Sequence, residues 1–121
     1  MSKDLSVSVL YDFYGDLLTD KQQEVIELYY NEDLSLAEIA AHSGITRQGV
    51  RDSIKRGETQ LREMEDRLGL AKRFDEIKGL LSEIQKNAFE IGQINDRMYA
   101  SADIDTRIRN IDRLTRSLGE L

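Results

Sequence analysis

Apolar positions recur along this chain in changing rhythms, and each change predicts a new helix. Leu5, Val9, Phe13 and Leu17 lie four apart, with Leu10 and Tyr14 adjoining, which predicts a first amphipathic helix. Thr19 with Gln22 three residues on reads as a capped helix start, and Asp20 suits the positive end of the helix dipole. Val25, Ile26, Leu28 and Tyr29 then form an inward face as far as Asn31, and Asn31-Glu32-Asp33 is the break. Ser35 with Glu38 repeats the capping pattern for a helix of barely two turns, with Leu36, Ile39 and Ala40 facing inward. Ser43-Gly44-Ile45 is a turn in which Gly44 supplies the positive φ of a tight helix exit. Thr46 caps the next helix, whose Val50 and Ile54 point to the core while Arg47, Gln48, Arg51 and Lys55 project from the other side. The pattern continues through Leu61, Met64 and Leu68 to Gly69.

Beyond Gly69 the period becomes seven. Leu70, Ile77, Ile84, Ile91 and Met98 take the d positions of four heptads, and Phe74, Leu81, Ala88 and Asn95 take the a positions. Leu80 and Ile94 widen the stripe, which suits a bundle of three or four helices better than a two-stranded coil. Asn95 is open to two readings: a polar residue that fixes register, or a residue at a solvated end. Ser101-Ala102-Asp103 marks a reversal capped by Ser101 or Asp103. Ile104, Ile108, Ile111, Leu114, Leu118 and Leu121 then line one face of a last helix. Folded back antiparallel, this shorter helix leaves part of the longer stripe uncovered. Self-association or docking through Leu70, Phe74, Ile77, Leu81, Ile84, Ile91 and Met98 is therefore expected. The fold class is all-α: a helix-turn-helix head over residues 1–68, then a helical hairpin or coiled coil over 69–121.

Charge changes the picture in one place. The chain carries a net −6, which argues against a simple nucleic-acid binder. Residues 1–34 hold two lysines and eight acids, whereas residues 35–62 hold five Lys/Arg against three acids. The helix-turn-helix is thus the only locally basic third. Arg107, Arg109, Arg113 and Arg116 give the last helix a second basic face, read either as a solvated face or as a phosphate contact. Five of the eight aromatics fall in the first 30 residues, among acids that would repel phosphate, so they read as core rather than as a base-stacking platform.

Composition excludes most chemistry. With no cysteine and only His42, thiolate metal sites and most nucleophile–base pairs are ruled out. No phosphate-binding glycine loop or paired-carboxylate arrangement emerges, so neither an enzyme nor a cofactor is expected. No apolar run approaches the roughly 18 residues of a membrane span, and the N-terminus lacks a signal-peptide core; a cytoplasmic protein is expected.

The segments L-Y-D-F-Y (10–14), L-L-T-D-K-Q (17–22), E-L-Y-Y (27–30), L-S-L-A-E-I-A (34–40), G-I-T-R-Q-G-V (44–50) and I-K-R (54–56) together resemble the YlxM family of bacterial proteins. The resemblance implies a head similar to region 4 of sigma factors. It also implies a link to the signal recognition particle GTPase and its receptor. On the sigma-like motif, Thr46, Arg47, Gln48, Val50 and Arg51 occupy the recognition helix, and Lys55-Arg56 its basic continuation. The expected nucleic-acid contacts are thus Thr46, Arg47, Gln48, Arg51, Lys55 and Arg56. Ser53 stands where such units carry an apolar residue, and Gly49 and Gly57 are expected to weaken the helix by roughly 1 kcal/mol each relative to Ala. Three roles stay open: a DNA- or RNA-binding accessory of the targeting pathway, a transcriptional regulator unrelated to targeting, and a protein-only adaptor. A homodimer without membrane insertion is expected.

Overall fold

A computed structural model describes residues 3–120. Its described residues form six α-helices and no strand: α1 (Leu5–Tyr14), α2 (Asp20–Tyr30), α3 (Leu36–Ser43), α4 (Arg47–Leu68), α5 (Leu70–Ile94) and α6 (Ala102–Gly119). A 3-10 turn, Gly15–Leu17, follows α1, and a π-turn, Asn95–Tyr99, follows α5. The protein is all-α. It divides into two compact units, Met1–Ala71 and Lys72–Leu121.

In the first unit the caps fix where helices begin. Thr19 and Gln22 form a reciprocal capping box on α2, as do Ser35 and Glu38 on α3. Gly44 ends α3 in the left-handed region at φ 69°, and the Thr46 hydroxyl accepts from the Gly49 N–H at 2.9 Å to start α4. Two buried clusters meet along α4. Val7, Tyr14, Leu18, Ile26 and Leu61 form one. Val25, Tyr29, Ile39, Val50 and Ile54 form the other, directly beneath the helix-turn-helix. The early aromatics Tyr14 and Tyr29 are core residues, as their acidic neighbours imply.

Two expectations change here. The stripe that predicts α1 is not its buried face: Leu5 is 77% and Leu17 66% exposed, while Val7 and Tyr14, seven residues apart, are fully covered. Both faces of α1 are apolar, and contact with α4 selects between them. Gly57, expected as a weakness, is a packing residue. A Cβ there would stand 2.5 Å from Ile26 Cδ1, so the absence of a side chain at Gly57 is what makes room for the buried Ile26 side chain of α2 against α4.

Tyr14 closes the end of this unit. Its hydroxyl donates to Glu65 Oε1 at 2.6 Å and accepts from the Leu70 N–H at 3.0 Å, while Glu65 Oε1 also accepts from the Ala71 N–H at 3.1 Å. The first amides of α5 are thereby satisfied by side chains of α1 and α4.

The second unit is an antiparallel hairpin of α5 and α6. Gln85 Nε2 donates to Thr115 Oγ1 at 3.2 Å, and Gly92 lies against Ile108. Leu81, Ala88 and Asn95, the a positions, face α6 and are buried. Asn95 accepts from the Ser101 N–H at 2.9 Å and donates to the Ser101 carbonyl at 3.0 Å, so it is an anchor of the turn rather than a solvated end. Ser101, not Asp103, caps α6. The d positions Leu70, Ile77, Ile84, Ile91 and Met98 are all exposed, and the remaining a position, Phe74, is half-buried.

Candidate nucleic-acid interface

The helix-turn-helix is held by contacts that the motif does not announce. Lys21 Nζ donates to the Ser43 carbonyl at 2.9 Å, meeting an acceptor at the C-terminal end of α3 that has no helical donor. Glu24 lies 3.8 Å from His42 Nε2 and accepts from Ser43 Oγ at 3.5 Å. α2 thus clamps the turn from outside. Sequence reasoning passes over Lys21 and Glu24 because they lie about twenty positions from the turn, beyond any local pattern.

On α4, Val50 and Ile54 are fully buried and set the rotation of the helix. Ser53 is half-buried, and Ile54 supplies the packing that an apolar residue at 53 would give. With those two held inward, Arg47, Gln48, Arg51, Lys55 and Arg56 are all exposed, together with the Thr46 cap. Arg47, Arg51 and Lys55 follow one another at four-residue spacing, so they form one row, and Gln48, Asp52 and Arg56 form the row beside it. Gln48 Nε2 donates to Asp52 Oδ1 at 3.0 Å, which holds its amide across the exposed face.

Three arginines elsewhere among the described residues are ion-paired. Arg62 contacts Asp4 and Glu58, Arg109 pairs with Asp105, and Arg116 with Asp112. Arg47, Arg51, Lys55 and Arg56 make no ion pair among the described residues. Arg47 lies in the first turn of α4, where the macrodipole is also positive, and Arg51, Lys55 and Arg56 extend the unneutralised cationic face along the next two turns, which suits an anion. Asp52 subtracts from it. No group of three or more His, Cys, Asp or Glu among the described residues could hold a metal ion. No described helix is long and apolar enough to cross a membrane.

A short helix, a glycine turn and a capped second helix that turns its apolar side inward and its cations outward define a helix-turn-helix protein. The comparisons narrow that class. The chain belongs to the UPF0122 family: the family model "Putative helix-turn-helix protein, YlxM / p13 like" matches residues 1–100. A UPF0122 protein of Thermoanaerobacter sp. (strain X514) is 52% identical over 82 residues, covering 68% of this chain and 70% of that protein. One from Desulforamulus reducens is 43% identical over 104 residues, 84% of this chain and 89% of the relative. Another, from Clostridium kluyveri, is 42% identical over 112 residues and covers 91% and 95%. The similarity to this last relative extends well into the second unit.

Proposed function

We propose that this protein is a non-enzymatic accessory of the signal recognition particle pathway that binds nucleic acid through the first turns of α4. The observation that carries the reading is the unpaired cationic face of Arg47, Arg51, Lys55 and Arg56 on the second helix of a helix-turn-helix. Arg47, Gln48 and Arg51 approach base edges or phosphates, while Thr46, Lys55 and Arg56 hold backbone. The resemblance of the head to the YlxM family supports the pathway, with the particle GTPase and its receptor as protein partners. The nucleic acid is the particle RNA or a DNA duplex, met in the cytoplasm.

The test is crosslinking in cells, followed by identification of both the protein and the nucleic acid recovered. Arg47→Glu with Arg51→Glu is expected to lower nucleic-acid recovery at least about tenfold, since each lost phosphate contact also removes counterion release. Recovery unchanged by that double substitution means α4 is not the contact. Recovery of particle proteins with no nucleic acid at all would instead favour an adaptor that reuses the fold, a role that the net charge of −6 also suits.

A further inference from the structure

The hairpin leaves a long apolar face open. Among the described residues of α5 and α6, Leu81 and Ala88 are the buried apolar ones; the other buried positions of the hairpin, Asn95 and Thr115, are polar. Yet α5 carries a second apolar row, Ile77, Ile84 and Ile91, at seven-residue spacing, and α6 carries Leu114 and Leu118. Ile84, Ile91 and Leu114 are each about half exposed, at 47%, 49% and 53%.

These rows lie on the same side. Phe89 of α5 and Arg109, Asp112 and Arg116 of α6 line one flank of the hairpin. At about 100° per residue, Ile84 and Ile91 turn away from Phe89, and Leu114 and Leu118 turn away from Arg109 and Arg116. In an antiparallel pair those two turns lead to the opposite flank. That flank carries an apolar strip, Ile77, Ile84 and Ile91 of α5 and Leu114 and Leu118 of α6, with Arg107 at the far end of the α6 row.

We infer that the occupant of this strip is the same strip of a second copy, two hairpins closing into a four-helix bundle. Charge favours a second copy over a foreign polyion. Lys72–Leu121 contains nine Lys/Arg and nine Asp/Glu, so the whole net charge of −6 resides in the first unit. Two neutral hairpins meet without net repulsion, whereas a nucleic acid or an acidic protein finds no steering field here. The rim agrees with self-pairing. Glu76, Glu83 and Glu90 run beside the α5 row at the same seven-residue spacing, and Arg107 continues the α6 row seven residues before Leu114. None of the four has an ion-pair partner among the described residues. Laying α5 of one copy along α6 of the other sets the acidic rim of α5 against Arg107 twice, as two-fold symmetry requires. The pairing stands independently of what the heads bind.

Sedimentation equilibrium of the full chain at micromolar concentration tests this. The expected mass is twice 13.9 kDa. Ile84→Glu with Ile91→Glu is expected to raise the dimer dissociation constant at least about 100-fold, because it buries two unpaired charges. Those residues also border α6, so Leu114→Glu is the second variant: it lies on the other helix, away from the hairpin seam, and is expected to dissociate the dimer with helical content unchanged. Val9→Glu, on the exposed stripe of α1, is expected to leave the dimer intact. A monomeric parent protein overturns the inference, and is the result if the strip serves a different protein. A dimer that survives Leu114→Glu, or one lost on Val9→Glu alone, also overturns it.

Discussion

At Gly57 the missing side chain leaves the space that Ile26 of α2 fills, because an added methyl would stand 2.5 Å from Ile26 Cδ1. Helix propensity alone would make Gly57→Ala stabilising by roughly 1 kcal/mol. Overpacking should reverse the sign, giving a loss of roughly 1–3 kcal/mol in urea unfolding. Ile26→Val removes the offending Cδ1, so the double variant should recover most of the Gly57→Ala loss. Additive effects would mean that the contact is not the cause. Tyr14 offers a second test, in pH. Burial first, and then its hydrogen bond to Glu65, push the Tyr14 phenol above its ordinary value near 10. Burial likewise raises Tyr11 and Tyr30. A raised folded value contributes stability that is complete below pH of about 10 and is lost as pH rises through the folded values. Tyr14→Phe should therefore cost roughly 1–3 kcal/mol at pH 7, through the unmet Leu70 amide, yet lose less stability than the parent between about pH 10 and 12. Neither effect is legible in the sequence. Gly57 reads there as a helix defect and Tyr14 as one more core aromatic, because both roles depend on residues 31 and 51 positions away.

Element boundaries, by contrast, are written locally. The Thr19–Gln22 and Ser35–Glu38 boxes, the Thr46 cap and Gly44 all act within four residues, and each stands where the sequence places it. Which face an element buries is a different matter. The α1 stripe from Leu5 to Leu17 and the Val7–Tyr14 face are equally apolar, so only the presence of α4 decides. The exposed face of α4 was legible for the opposite reason: Val50 and Ile54 are its only strongly apolar residues near the turn, which fixes the cations outward. Asn95 lies between these cases. A polar residue at an a position announces a special role but not which one; the structure spends both of its amide groups on Ser101. Asn95→Ala leaves the half-buried Ser101 N–H and carbonyl of the α5–α6 turn unmet, and should lower the thermal midpoint by an amount equivalent to roughly 1–3 kcal/mol. Asn95→Asp keeps the acceptor for the Ser101 N–H but sets a carboxylate against the Ser101 carbonyl, and should be no better. A melting curve unchanged in Asn95→Ala would show that the turn is held elsewhere.

At the scale of the whole molecule, the chain separates charge from apolar surface. The first unit carries all the net charge and the unpaired cations of α4; the second is neutral and carries the open apolar strip. Two binding events of such different physical origin should respond differently to salt. Nucleic-acid binding through four cations should follow a slope near −3.6 in log affinity against log salt, or about a 100-fold loss between 50 and 200 mM. Self-association through the strip depends on removing apolar area from water, which salt does not screen, and the rim pairs are exposed and worth little. Its dissociation constant should change by less than about threefold over the same range. Both quantities can be followed on one sample, with labelled duplex or RNA for anisotropy and sedimentation for mass. Ile84→Glu with Ile91→Glu should shift only the second curve, and Arg47→Glu with Arg51→Glu should flatten only the first. If one substitution moves both curves, the two units do not act separately, and binding by the heads requires the pair.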